Sequence, residues 1–308
     1  MLDLTVHARF AEYPVWIAMA ALYLMLGICS IAVGIATRAS PGSQLRSQVY
    51  AWWLIFPFVS LCIFLYPFGP LLLMLLISGL AVHELVTHDS GHGDRHALFR
   101  LTCLLMLALV LGLTYRQPGS ASLLAGLVLA QLLVFVFRRD SRQLLLLLFF
   151  VCCCGLSFLI QFTQLPFPAQ TNLAWLFYLF ALTALNDIAQ FVSGKCFGRQ
   201  KIARRISPNK TWQGLAGGIA VCVLVSALLG SYLQLASLPY LISIAVLLSL
   251  GGFAGDLLFS AGKRYLQIKD YSQLIPGHGG ILDRVDSLVV TAPLLYQLIY
   301  FSHTGYLQ

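Results

Sequence analysis

Charge is what this chain has least of. Only 10% of its 308 residues are Asp, Glu, Lys or Arg, and only 11 are acidic, while 59% are hydrophobic. That is too little charge to cover a soluble domain of this length. The alternating segments of roughly ten residues that mark a transmembrane barrel are missing too. The eight Cys follow no metal-site or disulfide spacing, and Cys152, Cys153 and Cys154 stand in a row inside an apolar segment, as buried inert thiols do. No repeat of fixed period appears.

What is present is a succession of apolar runs of about 18 residues or more, the mark of an all-α polytopic membrane protein whose solvent is a lipid bilayer. Ten segments are expected, near 14–36, 50–67, 69–87, 99–115, 120–137, 143–163, 172–193, 212–235, 239–259 and 286–303, or nine should the 50–87 region hold a single span. The first is too long for the apolar core of a signal peptide and follows Asp3 and Glu12, so it is expected to remain as a membrane helix. A net charge of +8 would suit a nucleic-acid binder, but 17 of the 19 Lys and Arg fall on connections after odd-numbered segments. Only Arg9 and Arg116 lie on the other side. The positive-inside rule therefore explains the sign, with both termini outside and no nucleic-acid partner.

The chain changes character near residue 170, which suggests N-terminal membrane helices over 1–170 and a catalytic membrane region over 171–308. The second part holds two long connections, 194–211 and 260–285, expected to face the cytoplasm. Five of the 11 acidic residues, Asp187, Asp256, Asp270, Asp283 and Asp286, lie in or beside them. The first part offers "HELVTH", His83 to His88, which resembles a zinc-protease helix. Its two His are five apart where that motif needs four, roughly 140° out of alignment. With "DSGHGDRH" after it, the stretch reads as a solvated turn, while Glu84, near its membrane edge, is a candidate for a supporting role.

Asp187 sits deep in an apolar segment, where an ionisable group is costly unless it faces a cavity, a partner or an ion. Lys195, Arg199, Lys201, Arg204, Arg205 and Lys210 follow, more cations than orientation alone requires, and suggest an anion funnel at the membrane surface. "SPNKT" is then expected to open a helix, with Ser207 as N-cap and Pro208 in the first helical position. A phosphate at that helix start would meet Lys210 and the Thr211 hydroxyl. In the second connection, Asp256 precedes Lys263 and Arg264, and "IPGHGG" supplies a backbone able to turn sharply. Asp283 and Asp286, three apart, share one face of the final helix, with Arg284 pointing elsewhere. Carboxylates gathered beside cations suit Mg²⁺ bound jointly with phosphate oxygens. A purely structural salt-bridge network is the alternative, though it leaves the Gly-rich turn unexplained.

The run "SAGKRYLQIKDYSQLIPGHGGILDRVD", Ser260 to Asp286, resembles the signature of the phosphatidate cytidylyltransferases, also called CDP-diacylglycerol synthases. Ser260, Lys263, Arg264, Lys269, Asp270, His278, Gly279, Gly280, Asp283, Arg284 and Asp286 match its fixed positions. Upstream, Asp187, Gly194, Phe197, Gly198, Lys201, Ser207, Pro208, Lys210, Thr211 and Gly214 match as well. The resemblance covers about residues 180–290. Phe259 stands where the family commonly has Glu, and Phe191 where it has Tyr, which leaves room for a different lipid acceptor.

The resemblance implies an Mg-dependent transfer of a cytidylyl group from CTP to phosphatidic acid, in a bacterial inner membrane with the site facing the cytoplasm. Asp256 and Asp283 are then expected as the principal metal ligands, with Asp286 as a further ligand or support. Lys210, Lys263, Arg264 and Lys269 would hold phosphates, Ser207 and Thr211 assisting. His278, Gly279 and Gly280 would shape the nucleotide turn, with Asp270 and Arg284 also on the substrate side and Asp187 lining the cavity. Self-association is compatible with all of this. Rival readings are a CTP-dependent kinase of a polyprenol-type lipid and a non-enzymatic transporter or lipid-binding protein. A CDP-alcohol phosphatidyltransferase would need an Asp-Gly pair followed by Ala-Arg, a pattern the chain lacks.

Overall fold

A computed structural model describes residues 13–36, 44–89, 93–116, 121–272 and 279–303. Among them are ten helices: α1 (Tyr13–Ala36), α2 (Gln44–Phe64), α3 (Gly69–Val86), α4 (Asp94–Arg116), α5 (Ala121–Arg138), α6 (Ser141–Gln161), α7 (Ala169–Phe197), α8 (Trp212–Tyr232), α9 (Leu238–Tyr265) and α10 (Leu282–His303). Each expected segment has its helix, in order. In hydrocarbon, backbone amides must be satisfied within the chain, so sustained apolar runs become helices. Nine of these helices are long and apolar enough to cross a bilayer; α2 has a shorter apolar stretch, Ala51–Phe64. It opens instead on Gln44, Arg46, Ser47 and Gln48.

The helices are not equivalent. Ser141–Gln164 is 89% buried inside the protein, against 0% for Pro14–Ile35 and 6% for Ala121–Arg138. α6 is therefore a central post, with α3, α4, α5 and α10 against it. α1 and α5 turn Leu24, Ile28, Ile31 and Phe137 outward, as lipid-facing helices do. α7 packs mainly on α8, and α9 on α8 and α10.

Polar contacts run through this second group. Tyr178 of α7 meets Ser226 of α8, Thr183 meets Thr291 of α10 at 2.9 Å, and Asn186 Oδ1 accepts from Ser249 of α9 at 2.6 Å. Thr183, Asn186, Asp187 and Gln190 fall on one side of α7 at helical spacing. α9 and α10 cross in backbone contact: a side chain at Gly255 would strike the carbonyl of Asp286.

One expectation is overturned. "SPNKT" opens no helix. Ser207–Thr211 forms β2, paired antiparallel with β1 (Lys201–Ala203), and Lys201 faces Thr211 across the ladder. Pro208 is tolerated because a two-stranded ribbon has edges that need no N–H. The helix begins at Trp212, capped by Thr211, whose backbone is extended and whose side-chain oxygen accepts the Gly214 amide at 3.0 Å. Thr211 is a cap in its own right, so Ser207 is not needed as one.

Candidate active site

The connections that follow α3, α5, α7 and α9 meet at one end of the bundle. Tyr265 donates to the Arg139 carbonyl at 2.6 Å, His88 Nε2 to the Tyr271 carbonyl at 2.6 Å, and Arg264 Nε to the Ile206 carbonyl at 3.0 Å. Arg264 thereby pins the β-hairpin to the end of α9. The hairpin region leaves Lys195, Arg199, Lys201, Arg204 and Arg205 exposed.

Among the described residues, two ion pairs sit at this end. The Lys210 ammonium, carried in from β2, lies 2.6 Å from Asp256 of α9 and 3.3 Å from the Gln190 side-chain oxygen of α7. It also lies over the Phe253 ring at 5.5 Å. Ser260, one turn after Asp256, donates to its other oxygen at 3.1 Å. The second pair joins Lys263 of α9 to Asp283 of α10 at 2.6 Å. Asp283's remaining oxygen accepts the Gly280 amide at 3.0 Å and the Tyr271 amide at 3.3 Å. Gly279, at φ +79°, has the left-handed backbone that brings Gly280 round to this carboxylate.

Asp187 and Asp286 complete the group. Both lie close enough to Asp256 for the charges to act on one another, and Lys210 acts on Asp187. Ser287 donates to Asp187 at 3.0 Å, and its amide donates to Asp286 at 2.8 Å. Arg284 is exposed, yet its charge also reaches Asp187. Burial pulls the Lys210 ammonium toward neutrality, but Asp256 and Asp187 outweigh it and hold its pKa above the usual lysine value. Lys210 is thus a cation shared among carboxylates. Burial, with Asp283 and Asp286 adding to it, pushes the Tyr271 phenol well up, so it stays a neutral donor to the Phe259 carbonyl at 2.9 Å.

Of the other candidates, Ser207 lies in β2, Thr211 is taken up as a cap, and Lys269 and Asp270 are exposed beyond the end of α9. Gly279 and Gly280 flank Asp283, while His278 lies outside the described residues. Among the described residues, no three His, Cys, Asp or Glu side chains converge as a ready metal shell. The donors are nevertheless all carboxylate, and two ammonium groups already occupy cation positions against them. A hard divalent ion that keeps only one or two protein carboxylates and takes its other ligands from phosphates suits that set.

The family model described as "Cytidylyltransferase family" matches residues 46–302. The chain belongs to that family. Among curated proteins similar to this cytidylyltransferase-family chain is the uncharacterized protein YnbB of Escherichia coli K12, 42% identical over 124 residues, which are 40% of this chain and 42% of that protein. The phosphatidate cytidylyltransferase of Bacillus subtilis 168 is 40% identical over 132 residues, 42% of this chain and 49% of the relative. That of Brucella suis biovar 1 is 44% identical over 119 residues, 39% and 44% of the two. The matched part of the chain thus spans somewhat under half the length of these relatives.

The family match begins at residue 46, well before the charged connections, and the structure shows a link between the two parts. Glu84 of α3 is fully buried and accepts from Ser272, Ile281 and Leu282. The solvated reading of 83–96 therefore holds for exposed His83, Asp94 and Arg95 but fails for Glu84 and Asp89, which are buried, and for half-buried His88, bonded to Tyr271. Residues 90–92 lie outside the described residues. A signal for Glu84 did exist: it is a carboxylate in an apolar run, the same criterion that picked out Asp187. Asn186 and Gln190, neutral amides, gave no such signal.

Proposed function

We propose that the protein transfers the cytidylyl group of CTP to phosphatidic acid, giving CDP-diacylglycerol and pyrophosphate. One observation carries this reading: Lys210–Asp256 and Lys263–Asp283, drawn from β2, α9 and α10, meet beside Asp187 and Asp286 at the same end of the bundle as the basic hairpin. Family membership and the names of the similar bacterial relatives support it.

In this reaction a phosphate oxygen of the lipid attacks the α-phosphorus of CTP, and the bond from that phosphorus to the oxygen bridging to the β-phosphate breaks. The attacking oxygen is already anionic, so the protein's task is to bring polyanions together in line and neutralise the departing pyrophosphate. Lys210 and Lys263 stand ready to move from carboxylate to phosphate. Arg264 and Lys269 extend the positive field at the rim. A bound Mg²⁺ would supply further charge neutralisation. Asp256 and Asp286 would hold it, with Asp283 contributing least, since its oxygens already accept three donors. The acyl chains stay among the helices' lipid, and the basic connections support a site facing the cytoplasm, in a bacterial inner membrane.

The test is transfer of label in detergent or liposomes. CTP labelled at the α-phosphate should mark phosphatidic acid, a chelator should abolish the signal, and Mg²⁺ should restore it. Label reaching the lipid only from the γ-phosphate would make the protein a kinase and end this reading.

A further inference from the structure

The last helix starts at Leu282, and its first amides need acceptors. The acceptor comes from α3, roughly 200 residues earlier in the chain: Glu84 Oε1 takes the Ile281 amide at 2.6 Å and Oε2 the Leu282 amide at 3.2 Å. The same Oε1 accepts the Ser272 hydroxyl at 2.5 Å. Glu84 is 0% exposed, and a side chain at Gly280 would lie 2.6 Å from its oxygens.

These contacts have a common geometry. Ser272 and Ile281 stand on either side of residues 273–278, and Glu84 binds both. Asp283 does the same from the opposite direction, through the amides of Tyr271 and Gly280. His88 adds a third tie, to the Tyr271 carbonyl. Two carboxylates from different halves of the chain therefore draw together the two ends of the segment that leads into Asp283 and Asp286.

We infer that Glu84 is a positioning residue for transfer: by joining Ser272 to Ile281 and Leu282 it fixes where α10 begins, and hence where Asp283 meets Lys263. The inference rests on the cytidylyl-transfer reading above. Glu84 is fully buried against Ser272, Ile281 and Leu282, and works through them. It acts because Asp283 lies one residue beyond the amides it holds, and a displacement of about 1 Å at a reacting centre costs on the order of 100-fold in rate. Gln in its place can still accept through one oxygen but presents N–H groups to a backbone N–H at the other.

The test compares wild type, Glu84→Gln and Ser272→Ala in α-labelled CTP transfer at saturating lipid, alongside amide hydrogen exchange. Glu84→Gln is expected to lower kcat about 10- to 100-fold while KM for CTP moves less than about threefold. Exchange should quicken at Ile281 and Leu282 and stay unchanged along α7. Ser272→Ala should show the same pattern more weakly, and it carries the test if the Gln variant does not accumulate. An unchanged kcat, or faster exchange throughout the bundle, would overturn the inference. A wild type that transfers no label would sink the functional reading instead, leaving exchange at Ile281 and Leu282 to decide the clamp alone.

Discussion

Lys263 and Asp283 approach to 2.6 Å across the α9–α10 contact, and the same carboxylate receives the amides of Tyr271 and Gly280. One side chain thus joins a phosphate-ready cation to the Gly-rich turn. Its charge and its shape do separate jobs.

Asp283→Asn separates them. Asn keeps an oxygen for the two amides but loses the charge that holds Lys263. Transfer of α-labelled CTP is expected to fall at least about 100-fold, as when one pre-positioned charged partner is lost from a reacting centre. The variant should stay folded in detergent but melt somewhat lower, since the partly buried Lys263 loses its charged partner. An active Asn variant would remove Asp283 from the machinery.

Lys210 gives the pH behaviour. Burial works against its charge, but Asp256 and Asp187 raise its pKa above the ordinary 10.5. A group whose pKa is raised on folding contributes stability that is complete below the unfolded value and lost as pH climbs through the folded one. The stability difference between wild type and Lys210→Gln should therefore be constant from pH 7 to about 9 and shrink only above 10.5, in thermal melts across that range. A difference that vanished on acidification from pH 9 to 7 would contradict the pairing.

The start of α8 can be checked by stability alone. Thr211→Ala removes the side-chain acceptor for the Gly214 amide and should cost about 1 kcal/mol. Ser207→Ala, in the strand, should leave capping untouched and shift the melt far less. Equal losses would restore the helix start to Ser207.

The sequence made nine of the helices readable because apolar length alone decides a spanning helix, and it made Asp256, Asp283 and Lys263 readable because charge is rare. The hairpin was not readable in the same way: Ser-Pro suits a helix start and an edge strand equally, and only the pairing with Lys201–Ala203 separates them. Glu84 carried a signal of its own, a carboxylate in an apolar run, but its partners carried none. Its acceptors' partners, Ile281 and Leu282, are backbone amides far along the chain, and nothing in the residues between announces the contact. Phe259, the departure from the family pattern, is fully buried with its ring toward Tyr271 at 6.4 Å between centroids. It is part of the core that supports the Tyr271 turn.

The polar side of α7 has a consequence for assembly within the membrane. Greasy side chains pack nearly as well against lipid as against protein, so apolar contact alone leaves a spanning helix free to spin about its long axis. Thr183, Asn186 and Gln190 forbid that freedom, because rolling α7 away from Thr291, Ser249 and Lys210 would strand hydrogen-bonding groups in hydrocarbon. The helix is keyed like a shaft in a slot, and Asp187 inherits its aim from that key.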